Sequence, residues 1–447
     1  MTSPGTTPNS MASPGRNFSP RLTGIDAARG AALLGMMATH LLPTFGPAPG
    51  WEPTWIGLTF SGRSSALFAV LAGVGLALAT GKQAPRRGTE LGADKSGVAL
   101  RALVIAVVGL ALGGLEVNVA IILVHYAVLF LCILPFLGLG VRALSAWAAG
   151  WILLSPVLGY LVRPVLLEAN LPLQLGHNPN VEDLQTPGAL LADLFFTGYY
   201  PVCQWISYLL LGLLIGRLAL SKQRVQVLLL AVGTAVAIVS KVLGILAMEA
   251  WGGRAALSTL PGVRGYPLES MLQVNLTGLR QTDSLWWLAT ASPHAGTTLD
   301  LLHTGGTAAA AIGFFLLLGS WSERIGVRFL LVLSGPGAMT LTLYSLHVWA
   351  VSWFVDQPLP SGWTNETMYW AQALTVIAVG AVFALLRRRG PLEWLAHQAS
   401  RLGSWPTRPH AWGATARRPS TDRGTVSRRR ASMPGHASCH LKRHTHN

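Results

Sequence analysis

The chain has 447 residues, of which 51% are apolar and 11% charged, with a formal net charge of +15. A typical soluble domain carries roughly 25% charged residues, so the composition excludes an ordinary soluble protein and fits an integral membrane one. Ten Lys and Arg against one acid place nine of the fifteen net charges in residues 399–447, so the basic balance belongs to a tail and gives no evidence for nucleic acid as a partner.

Residues 1–24 are rich in Ser, Pro, Thr and Gly and lack an apolar run. They are expected to be a disordered cytoplasmic N-terminus and not a signal peptide, with the first span directing insertion. Windows of about 20 mainly apolar residues mark candidate spans. They fall at 26–46, 58–80, 98–116, 119–140, 143–163, 198–218, 225–247, 299–319, 329–353 and 367–386. The fold class predicted is therefore all-α, a polytopic transmembrane bundle of about ten spans over 25–398. Only Glu116-Val-Asn-Val separates the third span from the fourth, which suggests a tight helical hairpin. The 399–447 tail is Arg-, Ser-, Pro- and His-rich and is expected to be disordered, either meeting anionic lipid from the cytoplasmic side or merely adding solubility.

Lys and Arg concentrate in alternate loops: Lys82, Arg86, Arg87 and Lys95, then Arg142, then Arg217, Lys222 and Arg224, then Arg324 and Arg328, then Arg387 to Arg389. The intervening stretches 47–57, 116–118 and 354–366 have none, and 248–298 has only Arg254, Arg264 and Arg280. By the positive-inside rule both termini are cytoplasmic.

Charges inside spans are costly and mark candidate sites. Asp26, Arg29 and His40 lie in the first span, and at 3.6 residues per turn they share a face, with Arg29 and His40 about 16 Å apart along the axis. Arg63, Glu116, His125, Lys241, Asp300, His303 and His347 all fall in the outer third of the predicted bilayer, on helices of opposite direction. A cavity open to the outside explains a shared depth. Within this set His347, two residues before Trp349, reads as an interfacial structural residue, and Asp300 as a helix cap. Cys132, Cys203 and Cys439 are scattered, with neither disulfide nor zinc spacing, so no metal is expected.

The stretch Arg21…Gly-Ile-Asp-Ala-Ala-Arg29…Met-Met-Ala-Thr-His40 resembles the first span of membrane-bound acyltransferases, including the Arg-x10-His signature of the acyltransferase-3 family. Gly62-Arg63-Ser-Ser-Ala-Leu-Phe, Tyr200-Pro-Val-Cys-Gln-Trp205, Pro293-His-Ala-Gly-Thr-Thr298 and Arg389-Gly-Pro-Leu-Glu-Trp394 resemble blocks of the heparan-α-glucosaminide N-acetyltransferase catalytic family. Together the blocks span about 21–398. The lysosomal branch of that family has its active histidine in the loop before a Trp-x-Gly; here Glu52 stands in that place, ahead of Trp55-Ile-Gly57. His40 becomes the candidate instead.

The resemblance implies a multi-pass enzyme of the cell membrane, transferring an acetyl or similar group from cytosolic acetyl-CoA or another acyl-CoA to an extracytoplasmic glycan or glycolipid. Arg29, oriented by Asp26, and Arg101 are then candidates for the coenzyme phosphates. His40 is the candidate base or acyl carrier, with Arg63 or Lys241 as oxyanion stabiliser and His125 and His303 as groups that position the acceptor or tune His40. The partners expected are membrane lipid, acyl-CoA and the acceptor, with room for a homo-oligomer. A non-enzymatic transporter or flippase for a polar envelope precursor is the alternative. Against it, no symmetric pair of broken helices is visible in the sequence.

Overall fold

The computed structural model describes residues 22–404 apart from 170–176, 261–266, 277–280, 356 and 358. Of the two termini expected to be disordered, residues 1–21 and 405–447 lie outside the described residues, as do Arg264, Arg280 and Cys439, whereas helix already begins at Thr23. All regular structure described is helical. In chain order the helices are α1 (Thr23–Leu41), α2 (Trp55–Phe60), α3 (Arg63–Ala79), α4 (Gly88–Gly113), α5 (Leu123–Cys132), α6 (Val141–Glu168), α7 (Pro187–Ala192) and α8 (Val202–Gly216). They continue as α9 (Gln223–Ile245), α10 (Gly253–Ser258), α11 (Leu268–Val274), α12 (Thr298–Ile325), α13 (Leu331–Gly337), α14 (Thr340–Ser352), α15 (Asn365–Leu385) and α16 (Pro391–Gly403).

Every one of the ten apolar windows holds a helix, but among the described residues only six spans are long and apolar enough to cross a membrane. The pair 187–197 and 202–216, bent by 54°, is either a seventh, broken span or a re-entrant loop. The others are shorter or interrupted for physical reasons. α1 carries Asp26 and Arg29, and its Ala27, Ala28, Leu33 and Met37 are fully buried, so it is a central helix surrounded by protein. α13 and α14 are broken at Ala338 and Met339, after Pro336. The α7–α8 break follows a π-helical turn at Asp193–Thr197. Neither break is visible as a gap in hydropathy.

The expected tight hairpin at Glu116 is corrected by the structure. Residues 114–122 are non-helical, and α5 begins only at Leu123. Irregular backbone is tolerated at membrane depth only where its polar groups find partners. Asn178 supplies them, accepting from Ile121 N at 2.7 Å and donating to Val119 O at 2.8 Å. Ala120 O accepts from both Tyr200 Oη and Tyr344 Oη at 3.4 Å.

Helices meet through small residues, the usual solution where lipid supplies no hydrophobic drive. Gly233, Gly306 and Gly313 let α9 and α12 touch along their length, and Gly73, Gly212 and Gly216 do so for α3 and α8. Gly337 of α13 lies directly on the Asp26 carbonyl of α1. Outward faces of α4, α6, α9 and α15 expose Leu103, Val107, Leu161, Val232, Ile238, Leu374 and Val382, as lipid contact requires. Arg217, expected as a loop cation, is instead fully buried and donates to the carbonyls of Ala77, Thr80, Lys82 and Leu137 and to Thr80 Oγ1, clamping α8 to the end of α3. α16 carries helical chain beyond the 398/399 boundary to Gly403.

Candidate active site

α1 places Arg29 near one end of the bundle and His40 in its last turn at the other. At the His40 end a cavity of about 250 Å³ opens between α1, the start of α3, residues 118–120, the α7–α8 break and the turn at His294. Its wall is mainly polar: Thr39, His40, Ser61, Ser64, Ser65, Asn118, Tyr199, Tyr200, Asn275 and His294. Gly62 sits at φ 67° where Pro293 closes on it, and a Cβ there would lie 2.6 Å from Pro293 Cβ. The Gly62-Arg63 and Pro293-His294 blocks, far apart in sequence, are therefore one contact.

His40 Nδ1 lies 3.0 Å from His347 Nε2, and the two rings meet edge to edge, nearly coplanar at 11°, with centroids 5.2 Å apart. His347 Nδ1 in turn lies 2.7 Å from Gln372 Oε1. A carbonyl oxygen only accepts, so His347 Nδ1–H donates to it and a neutral His347 has its Nε2 lone pair free to accept from His40 Nδ1–H. His40 then keeps an unprotonated Nε2. His347, expected from the sequence at the membrane interface, is 2% exposed and bonded to His40. The pairing joins α1, α14 and α15, and no local pattern could announce it. His294 adopts φ 62°, rare for a side chain-bearing residue, and burial pushes its imidazole down to about 4.

The remaining ionisable residues form a second group at the same end. Arg63 Nη2 donates to His303 Nε2 at 3.0 Å, and His303 Nδ1 donates to Ala237 O at 2.9 Å. Asp300 accepts from Gly296 N at 2.9 Å while Thr297 caps the helix, so Asp300 is part of the N-terminal cap of α12 as expected. Lys241 Nζ donates to Ala291 O at 3.4 Å. Arg63 and His303 bond each other, and the cavity wall beside them is made by Gly62 and Ser64. His125 is 0% exposed, neither ring nitrogen has a partner, and it packs edge-on to Tyr200 behind the cavity wall. Glu52 is exposed.

At the opposite end Arg29 pairs with Asp26 at 3.0 Å and reaches Leu71 O at 3.5 Å. Gly75 makes room for it, since a Cβ there would stand 2.8 Å from Nη2. Arg101 lies over the Phe130 ring at 6.0 Å and is within electrostatic reach of Arg29, Glu393 and Arg389. Among the described residues no His, Cys, Asp and Glu cluster suited to a metal is found.

The described residues of the 248–298 stretch form a small folded cap. α10, α11 and a 3-10 turn at Leu285–Ala289 gather Met248, Leu257, Met271, Leu276 and Trp287 into a separate apolar cluster, and the cap delivers Asn275 and His294 to the cavity.

A helical bundle with six helices long and apolar enough to cross a membrane among the described residues, and a half-buried histidine at a polar cavity, is that of a multi-pass membrane protein. The chain belongs to the family of the heparan-α-glucosaminide N-acetyltransferase catalytic domain, whose family model matches residues 21–246. The match takes in Asp26, Arg29, His40, Arg63, Arg101 and His125, whereas His303, His347 and Gln372 follow it. A search of curated proteins returns no match to the chain.

Proposed function

We propose that this protein transfers an acetyl or similar acyl group from cytosolic acyl-CoA to a hydroxyl or amine of an extracytoplasmic sugar or glycolipid, with His40 as the base. Ten spans with both termini in the cytoplasm put the Arg29 end inside and the His40 end outside. Residues 25–398 are then the transferase domain between two cytoplasmic tails. The observation that carries the reading is His40 itself, an imidazole with a free Nε2 beside a polar cavity, on the same helix as Arg29.

The chemistry follows from the geometry. Arg29, held by Asp26, and Arg101 offer charge-assisted contacts to coenzyme phosphates. The pantetheine arm extends over the roughly 16 Å of helix rise that separates Arg29 from His40. The acceptor gives its O–H or N–H proton to His40 Nε2 as its oxygen or nitrogen attacks the thioester carbonyl. The C–S bond then breaks, and the departing thiolate takes the proton from His40. Arg63, a permanent cation fixed by His303, supports negative charge near the cavity rim.

The test is release of free CoA by purified protein given acetyl-CoA and envelope glycan extract. Wild type is expected to turn over, and His40→Ala to lose at least about a hundredfold of that rate while still binding acyl-CoA. Near wild-type turnover in His40→Ala, with His294→Ala or Glu52→Gln inactive, would move the site to the outer loops. An acetyl-mass adduct on the protein in the absence of acceptor would mark His40 as a carrier; its absence supports direct transfer.

A further inference from the structure

We infer that His347 and Gln372 are positioning residues that lock His40 into the tautomer presenting a free Nε2 to the cavity. The inference rests on the reading of His40 as the base. Three elements that diverge in sequence converge on one line of hydrogen bonds: Gln372 Oε1 to His347 Nδ1 at 2.7 Å, then His347 Nε2 to His40 Nδ1 at 3.0 Å. The two ring planes lie 11° apart, so the hydrogen bond between the imidazoles runs in the plane of both rings.

The chemical consequence is specific. An isolated imidazole exchanges its proton between Nδ1 and Nε2, and only the Nδ1–H form can accept a proton at Nε2. The Gln372 oxygen fixes the proton of His347 on Nδ1, and the Nε2 lone pair of His347 fixes the proton of His40 on Nδ1. When His40 takes a proton at Nε2, its Nδ1–H remains bonded to His347, which stabilises the cation. This is the logic of an oriented base, with a neutral amide and a second imidazole in place of a carboxylate. A neutral orienter also avoids an uncompensated negative charge in a buried position. Gln372 Nε2 has no partner of its own, so the amide is held here by the bond its oxygen makes.

Gln372→Leu removes the tautomer lock and keeps the volume. It is expected to lower kcat by about tenfold or more, with acyl-CoA affinity unchanged. Gln372→Glu places a carboxylate against His347 and favours the charged form of the pair. The acidic limb of the kcat/KM profile is then expected to move to higher pH by about one unit. His347→Gln presents an amide oxygen where His347 Nε2 stands and is expected to retain more turnover than His347→Leu. Size-exclusion profiles and acyl-CoA binding establish folding for each variant. Should the His347 variants fail to fold, the Gln372 pair decides alone. Wild-type kcat in Gln372→Leu together with an unmoved profile in Gln372→Glu overturns the inference. If His40→Ala is inactive in that same series, the reading of His40 survives; if His40→Ala is active, that reading has failed as well.

Discussion

At the scale of single residues, charge in an apolar helix is the conspicuous feature of this chain, and Asp26, Arg29, Arg63 and Lys241 each have a polar partner. Arg29 is oriented by Asp26 and sits in the space left by Gly75. Arg29→Gln is expected to weaken acyl-CoA binding by about tenfold, the loss of one or two charge-assisted bonds, in protein that remains monodisperse in detergent. Asp26→Asn, which keeps an acceptor for Arg29, is expected to be milder. Calorimetric titration with acetyl-CoA checks both, and equal affinity in Arg29→Gln returns that residue to a helix anchor. His294 offers a pH test. Burial lowers its imidazole to about 4 against an ordinary value of 6.5. The unfolded chain therefore binds more protons between those values, and stability falls as pH drops from about 6.5 toward 4. The thermal midpoint of wild type is expected to fall over that interval, and His294→Asn to flatten the slope.

At the scale of elements, broken helices surround the candidate site, and the break before α14 has a side-chain cap from another helix. The start of α14 is held from α16, where Glu393 Oε1 accepts from Leu341 N at 2.6 Å and Thr342 N at 3.1 Å, and Oε2 from Thr342 Oγ1 at 2.6 Å. A carboxylate at a helix N-terminus satisfies orphan donors and complements the helix dipole. This gives the Glu of the Gly-Pro-Leu-Glu-Trp block its structural role. Glu393→Ala leaves three donors without their acceptor and is expected to cost about 1–2 kcal/mol, read as a lower thermal midpoint. Because α14 carries His347, the same variant is expected to lose turnover beyond its stability loss. A midpoint equal to wild type would show that water replaces the carboxylate and that α14 needs no tether.

At the scale of the whole molecule, topology is the reading with the widest consequences, since it decides which face meets the donor. Reporter fusions after Ser221 and Arg389 are expected to read cytoplasmic, and one within 255–285 external, following the distribution of Lys and Arg. A cytoplasmic signal from the 255–285 fusion would put the folded cap, and with it the His294 side of the cavity, on the donor side, and would reverse the direction of transfer.

Composition, hydropathy and charge asymmetry determined the class of this protein, because a bilayer imposes a length and a polarity on each span that a single sequence must display. They also marked Asp26, Arg29 and His40, since an ionisable side chain in an apolar window is conspicuous without any fold. The family blocks around Gly62, Tyr200 and Pro293 were legible as well, but not their meeting, which depends on a close contact between Gly62 and Pro293. Helix breaks escaped because hydropathy averages over about 20 residues and registers apolar character, not backbone direction. The 114–122 strap, the buried clamp of Arg217 and the split of α13 from α14 therefore appeared only in three dimensions. So did the partner of His40. His347 lies 307 positions away, and a hydrogen bond of 3.0 Å has no signature along the chain. Only the packing of α1, α14 and α15 decides which nitrogen of His40 faces the cavity.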